Sequence, residues 1–178
     1  MKGNPITARM IPSIFTLANL LFGFLALILV NEKNYTLAAA MILGSVLMDS
    51  LDGKVARRLS VSSDFGKELD SLSDLVSFGV APAILTYEAM LRPLPEFLRY
   101  IGLAIAAIFA LCGACRLARF NMLNITTHFV GVPITFAGGV LALLMLFGNI
   151  LPWYVYLVSM AFLAFLMVST FKVAKLGK

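Results

Sequence analysis

Two pairs of aspartates are the residues whose type and spacing point most directly to chemistry. Six of the nine acidic residues fall between Asp49 and Asp74. Asp49 and Asp52 are three residues apart, and Asp70 and Asp74 are four apart, so each pair shares one face of a helix. Four carboxylates gathered in an apolar region would be costly in repulsion and lost hydration, and divalent cations remove that cost. Because hard oxygen ligands favour Mg²⁺, Mn²⁺ or Ca²⁺, four carboxylates would suffice for a two-metal site.

The elements that must position these pairs are apolar helices. Of 178 residues, 61% are hydrophobic and 13% charged, and the mean hydropathy is +0.95. A soluble domain carries roughly 25% charged residues. We therefore expect an all-α integral membrane protein with six transmembrane helices, forming a single domain over residues 1–178. The predicted segments are residues 11–30, 37–59, 69–91, 97–120, 132–150 and 153–171.

The basic residues predict the orientation in the membrane. The face that carries both termini would hold eleven of the fourteen lysines and arginines, and the other face only Lys33, Arg92 and Arg99. This bias places both termini, and the loops after the second and fourth segments, in the cytoplasm of a cell membrane. The net charge of +5 lies at helix ends, where anionic lipid headgroups rather than nucleic acid are the expected partners.

The residues between the two aspartate pairs suggest a phosphate ligand. Gly53 and Ala56 leave a helix face without bulk, and Arg57 offers a forked donor suited to phosphate. The pattern is typical of a nucleoside-diphosphate site. Intramembrane carboxylates also occur in proton relays and cation transporters, so the charges alone leave an ion-coupled transporter open.

The spacing of eight residues in this region resembles the signature of the CDP-alcohol phosphotransferases. The signature is D-x2-D-G-x2-A-R-x8-G-x3-D-x3-D, and the six-segment layout also agrees with that family. The matching residues are Asp49, Asp52, Gly53, Ala56, Arg57, Gly66, Asp70 and Asp74. The resemblance implies an enzyme of phospholipid biosynthesis that transfers a phosphatidyl or archaetidyl group from a CDP-lipid to an alcohol and releases CMP.

The resemblance also implies site residues and cofactors. The four aspartates would hold two divalent ions (Mg²⁺ or Mn²⁺, with Ca²⁺ as an alternative), Asp70 would bridge them, and Asp74 would also be the general base. A packing role for Thr16 and Asn19, and a solvated loop for Ser63 and Lys67, remain open. The residues implied in CDP-lipid binding are Pro12, Thr16, Asn19, Gly53, Ala56, Arg57, Ser63, Gly66 and Lys67.

Two further stretches, residues 65–83 and 115–121 with the G-V-P at 131–133, resemble membrane-embedded family members that use L-serine as acceptor. Arg116 and Arg119 could clamp its carboxylate, although they could also be membrane anchors. They could equally bind a phosphate, which keeps glycerol 3-phosphate and inositol phosphate as alternative acceptors. The resemblance also implies a homodimer, and leaves the lipid tail open. The expected acceptor-binding residues are Phe78, Gly79, Arg116, Arg119, Asn121 and Thr135.

Overall fold

A computed structural model describes residues 5–59, 64–123, 129–148, 150–169 and 172–173. The predicted six-helix, all-α layout is confirmed. Outside the helices, two antiparallel strands of two residues each pair Phe129 with Val173 and Val130 with Lys172. The elements are α1 Pro5–Asn31, α2 Tyr35–Leu59, α3 Asp64–Leu91, α4 Glu96–Leu123, β1 Phe129–Val130, α5 Ile134–Leu146, α6 Trp153–Val168 and β2 Lys172–Val173.

The helices are those of a multi-pass membrane protein. Among the described residues, four helices are long and apolar enough to span a bilayer, over Ser13–Asn31, Tyr35–Val55, Asp64–Leu91 and Glu96–Met122. Helices α5 and α6 are apolar but have only 13 and 16 residues. At 1.5 Å per residue they are about 20 and 24 Å long, less than the roughly 30 Å hydrocarbon core.

The helix ends differ from the hydropathy prediction for local reasons. Helix α3 begins at Asp64, five residues before the predicted segment, because its first turns are polar and add nothing to hydropathy. Helix α5 begins only after Pro133, whose backbone is extended with φ −58° and ψ 141°. The α1–α2 turn is set by Lys33, with φ 60°, and by Asn34, whose Oδ1 accepts the N–H of Leu37 as an N-cap.

Helix α3 contains two wide turns with hydrogen bonds between residues five apart. The Ala81 N–H donates to the Val76 carbonyl, and the Arg92 N–H donates to the Tyr87 carbonyl at 2.8 Å. Pro82 has no N–H to donate to the Phe78 carbonyl four residues before it, which favours the first wide turn. That turn begins directly after Asp74, and such turns are frequent at functional sites.

Small residues allow the helices to approach closely in the interior. A Cβ added to Gly138 of α5 would lie 2.5 Å from the Phe78 carbonyl oxygen of α3. On α1, Ala26 is fully buried, while Leu21 and Phe24 are each 55% exposed on the opposite face. Glycine and alanine at interfaces, with large apolar side chains outside, are typical of helix packing in membranes.

Candidate active site

Three of the four aspartates converge between α2 and α3. Asp49, Asp70 and Asp74 each offer a carboxylate oxygen, and these oxygens lie within 4.8 Å of one another. Asp49 comes from the second half of α2, and Asp70 and Asp74 come from the first eleven residues of α3. Asp74 is only 7% exposed. The structure therefore brings residues of both pairs together. One member of the α2 pair and both members of the α3 pair form a compact cluster.

The donor set of this cluster fits a divalent cation. Its three residues supply only carboxylate oxygens, which hard cations such as Mg²⁺ and Mn²⁺ prefer. Asp70 Oδ1 is buried and has no hydrogen-bond partner among the described residues. Since a buried carboxylate oxygen without a donor or cation is costly, Asp70 is suited to a metal ligand.

The fourth aspartate, Asp52, has a different neighbour. Its Oδ2 accepts a hydrogen bond of 3.0 Å from Thr16 Oγ1 of α1. The same helix also reaches Asp74, because Asn19 Nδ2 donates to Asp74 Oδ1 at 3.1 Å. Helix α1 thus contributes one polar side chain to each of the two acidic helices. The sequence implies Thr16 and Asn19 in CDP-lipid binding, with helix packing as the alternative, and that assignment stays a prediction.

The other residues expected to bind the CDP-lipid are described unevenly. Gly53 donates its backbone N–H to the carboxylate of Asp52. Lys67 lies at the exposed start of α3, where its Nζ is 3.4 Å from Asp64 Oδ1, and Gly66 is half-buried beside it. Pro12 lies in α1, and Ala56 and Arg57 lie in α2; their side chains, and all of Ser63, are outside the described residues.

The two arginines of α4 have separate environments. Arg119 Nη1 donates to the Val168 carbonyl at 3.2 Å, at the end of α6. Arg116 interacts electrostatically with Asp74, and its guanidinium carbon lies 5.9 Å from the centre of the Phe120 ring. Arg116 Nε is buried without a hydrogen-bond partner in the part of the chain that the structure describes. Of these two arginines, Arg116 is therefore the one that combines proximity to the carboxylates with a buried donor that has no partner among the described residues.

The remaining expected acceptor residues link helices around the cluster. Thr135, in the first turn of α5, donates a side-chain hydrogen bond to Asp49. Asn121 Nδ2 of α4 donates to Ser71 Oγ of α3 at 3.0 Å. Phe78 is fully buried, and a Cβ on Gly79 would lie 3.4 Å from Ile134 Cδ1, so this part of α3 packs against α5.

Sequence reasoning did not select two serines that belong to this region. Ser45 of α2 and Ser77 of α3 are fully buried, and their hydroxyls donate to the Asn19 backbone carbonyl at 3.2 and 3.0 Å. The available signal was a small polar residue inside an apolar segment. That signal is weak, because serines in membrane helices often bond to their own helix.

The fold and site define a multi-pass membrane protein with a partly buried carboxylate cluster of the kind that holds a divalent cation. Residues 9–171 match the model of the CDP-alcohol phosphatidyltransferase family, and the chain belongs to that family. The family expected from the spacing of the aspartates is thereby confirmed.

Individual relatives are similar over most of the chain. A CDP-diacylglycerol–serine O-phosphatidyltransferase of Helicobacter pylori strain J99 is 35% identical over 84% of this chain and 62% of its own. A protein of the same name from Bacillus subtilis is 40% identical over 75% of this chain and 74% of its own. An archaetidylserine synthase of Methanothermobacter thermautotrophicus is 42% identical over 71% of this chain and 54% of its own. The match thus spans less than two thirds of the Helicobacter relative.

Proposed function

We propose that this protein is an enzyme that transfers the phosphatidyl or archaetidyl group of a CDP-lipid to the hydroxyl of L-serine and releases CMP. The observation that carries this proposal is the cluster of Asp49, Asp70 and Asp74, formed by residues of the family signature. The names of the relatives support serine as the acceptor, and they include both diacylglycerol and archaeal lipid donors.

The carboxylates would hold two divalent ions, Mg²⁺ or Mn²⁺, with Ca²⁺ as an alternative. Asp49, Asp70 and Asp74 form the compact part of the ligand set, and Asp52 would complete it. When bound, the ions would neutralise the diphosphate and stabilise the negative charge that develops on CMP. Arg57 would hold the diphosphate, and the small residues Gly53 and Ala56 would border the cytidine.

The proposed reaction is an in-line displacement at the phosphorus attached to the lipid. Asp74 accepts the proton of the serine hydroxyl, and the serine oxygen forms a bond to that phosphorus. The bond between this phosphorus and the bridging oxygen breaks, and the electron pair leaves with CMP. Orientation of the hydroxyl beside Asp74 contributes to the rate because the reacting atoms are then already aligned.

The serine carboxylate would bind to Arg116. Its unpartnered Nε and its closeness to Asp74 support this role, whereas Arg119 already donates to the Val168 carbonyl. One guanidinium, that of Arg116, suits a carboxylate with one charge better than the second phosphate of glycerol 3-phosphate or inositol phosphate. Thr135 and Asn121 would shape the acceptor side through Asp49 and Ser71, and Phe78 and Gly79 would support it from behind.

We further propose that residues 1–178 act as a single transmembrane catalytic domain in the cell membrane. The excess of lysine and arginine on one face, eleven of fourteen, supports cytoplasmic termini and a cytoplasmic active site. The proposed assembly is a homodimer.

The test is CMP release by the detergent-purified protein. CDP-diacylglycerol and CDP-archaeol are each supplied with Mn²⁺ or Mg²⁺, and serine, glycerol 3-phosphate and inositol phosphate are compared as acceptors. Release that requires serine and a divalent ion supports the proposal. Release only with a phosphorylated alcohol would overturn the acceptor, and absence of release with every acceptor would contradict the enzymatic reaction.

A further inference from the structure

Asn19 occupies the place where α1, α2 and α3 meet. Its side chain is fully buried. Its backbone carbonyl accepts hydroxyl hydrogen bonds from Ser45 of α2 at 3.2 Å and from Ser77 of α3 at 3.0 Å. Within α1 the same carbonyl also accepts the N–H four residues later, and the Ser45 hydroxyl is 3.4 Å from the Met41 carbonyl of its own helix, so the two serine contacts are shared hydrogen bonds. The position of Asn19 is therefore held from two neighbouring helices at once.

Gly23 makes this close approach of α1 and α3 feasible. One turn after Asn19, a Cβ on Gly23 would overlap Ser77 Oγ and would lie 2.8 Å from Ser77 Cα. Without a side chain at residue 23, the Ser77 hydroxyl can reach the Asn19 carbonyl. The backbone of α1 is thereby placed against α3 at a defined height relative to Asp74.

From this fixed position the Asn19 amide contacts the carboxylate cluster. Asn19 Nδ2 donates to Asp74 Oδ1 at 3.1 Å, and the two residues are 55 positions apart in the chain. Asp74 in turn lies within the group that includes Asp49 and Asp70. A hydrogen bond to one carboxylate oxygen restricts rotation of the whole carboxylate, which sets the direction of its other oxygen.

We propose that Asn19 is a positioning residue, which acts through Asp74 to orient the carboxylate cluster towards its divalent cation. The inference rests on the proposed function where it concerns CMP release. The predicted effect on cation affinity does not depend on that function. Partners that orient metal ligands typically affect metal affinity or activity by about 10- to 100-fold.

The experiment compares purified full-chain variants for Mn²⁺ binding, measured without nucleotide by the electron paramagnetic resonance signal of free Mn²⁺. Asn19→Leu removes the amide at similar volume, and Asn19→Gln keeps an amide on a longer side chain. Thr86→Val is the matched control: Thr86 is equally buried, its hydroxyl has no partner among the described residues, and it lies twelve residues beyond Asp74 on α3. If Asn19→Leu does not fold, Asn19→Ala removes the same amide without added branching.

We expect Asn19→Leu to weaken Mn²⁺ binding by about 10- to 100-fold, Asn19→Gln to weaken it less, and Thr86→Val to bind like the unmodified protein. At saturating Mn²⁺, kcat for CMP release should fall in Asn19→Leu, while KM for the CDP-lipid stays close to its original value. Unchanged Mn²⁺ affinity, or a loss confined to the CDP-lipid KM, would overturn the inference. If the unmodified protein releases no CMP but Asn19→Leu still loses Mn²⁺ affinity, the proposed function fails and the inference stands.

Discussion

Thr16 Oγ1 donates a 3.0 Å hydrogen bond to Asp52 Oδ2, joining α1 to α2 across 36 positions of the chain. Asp52 is 7% exposed, so this hydroxyl replaces hydration that the carboxylate has lost. The bond also turns Asp52 towards α1, whereas the other three aspartates form the compact cluster. The hydrogen bond from one buried hydroxyl thus distinguishes Asp52 from the other three aspartates.

Thr16→Val should lower the free energy of unfolding by about 1–3 kcal/mol, because it leaves a buried carboxylate with fewer donors. Thermal denaturation in detergent without divalent ions measures the effect. Thr16→Ser is the matched control, since it keeps the hydroxyl. Equal stability of the valine and serine variants would show that the hydrogen bond contributes little.

At saturating Mn²⁺, Asp74→Asn should preserve folding and CDP binding but reduce kcat for CMP release by at least about 100-fold, the usual contribution of a general base. Single-turnover CMP release and equilibrium CDP binding are the two measurements. Ser73→Ala is a suitable neighbour control, because Ser73 Oγ donates to Leu69 within the same helix at 2.8 Å. Near-normal turnover in Asp74→Asn would remove Asp74 as the base.

Substitution of the two α4 arginines should have different consequences. Arg116→Gln should raise the KM for serine at least about tenfold without a matching change for the CDP-lipid, because a charged hydrogen bond to the acceptor is lost. Arg119→Gln should mainly lower the melting temperature by a few degrees, because it removes a bond of about 1 kcal/mol to α6. Steady-state kinetics and thermal denaturation of both variants test the assignment, and a larger serine KM effect at Arg119 would reverse it.

Removal of divalent ions should abolish CMP release and reduce thermal stability together. A cation that binds only the folded protein adds about 2.7 kcal/mol at 100 times its Kd, so Mn²⁺ above its Kd should raise the melting temperature with the logarithm of its concentration. Titration with EDTA followed by Mn²⁺ measures loss and recovery. Full activity in excess EDTA would exclude the proposed role of the aspartate cluster.

Gly138→Ala should destabilise the protein by about 1–3 kcal/mol, as overpacking of a tight interior does. The new Cβ would lie 2.5 Å from the Phe78 carbonyl oxygen, which is backbone and cannot rotate away. Gly139→Ala is the matched control, because its Cβ would meet only Val46 Cγ2 at an ordinary 3.5 Å. Similar melting temperatures for the two variants would contradict the close contact between α3 and α5.

Hydropathy was sufficient to predict six helices, because apolar stretches of chain in a bilayer leave few alternatives to a helix. It did not predict that α3 begins at Asp64, since the first turns of that helix are polar, nor that α5 and α6 are only 13 and 16 residues long. Short helices begin and end at particular prolines and turns, which an average over many residues does not resolve.

The spacing of the aspartates predicted their meeting, because i+3 and i+4 spacing places them on a helix face and a short connection makes α2 and α3 neighbours. The spacing does not predict which side chain each carboxylate contacts. Asn19 and Asp74 are 55 positions apart, and Arg116 differs from Arg119 only through the direction in which each faces from α4. Those assignments depend on how whole helices rotate against each other.

The wide turn of α3 that follows Asp74 makes the length of this helix as important as its composition. One residue corresponds to about 100° of rotation in an α-helix, and the wide turn holds one residue more than a regular turn. Because the extra residue is absorbed within that turn, deleting one residue between Leu75 and Val80 would restore a regular helix with little rotation. Deleting one residue from the regular stretch Ala81–Thr86 would instead rotate the carboxylate-bearing half of α3 by about 100° relative to the half that follows. Each side chain could remain unchanged while its partner was lost, so the spacing between the carboxylate residues and the packing residues is itself a structural requirement of this chain.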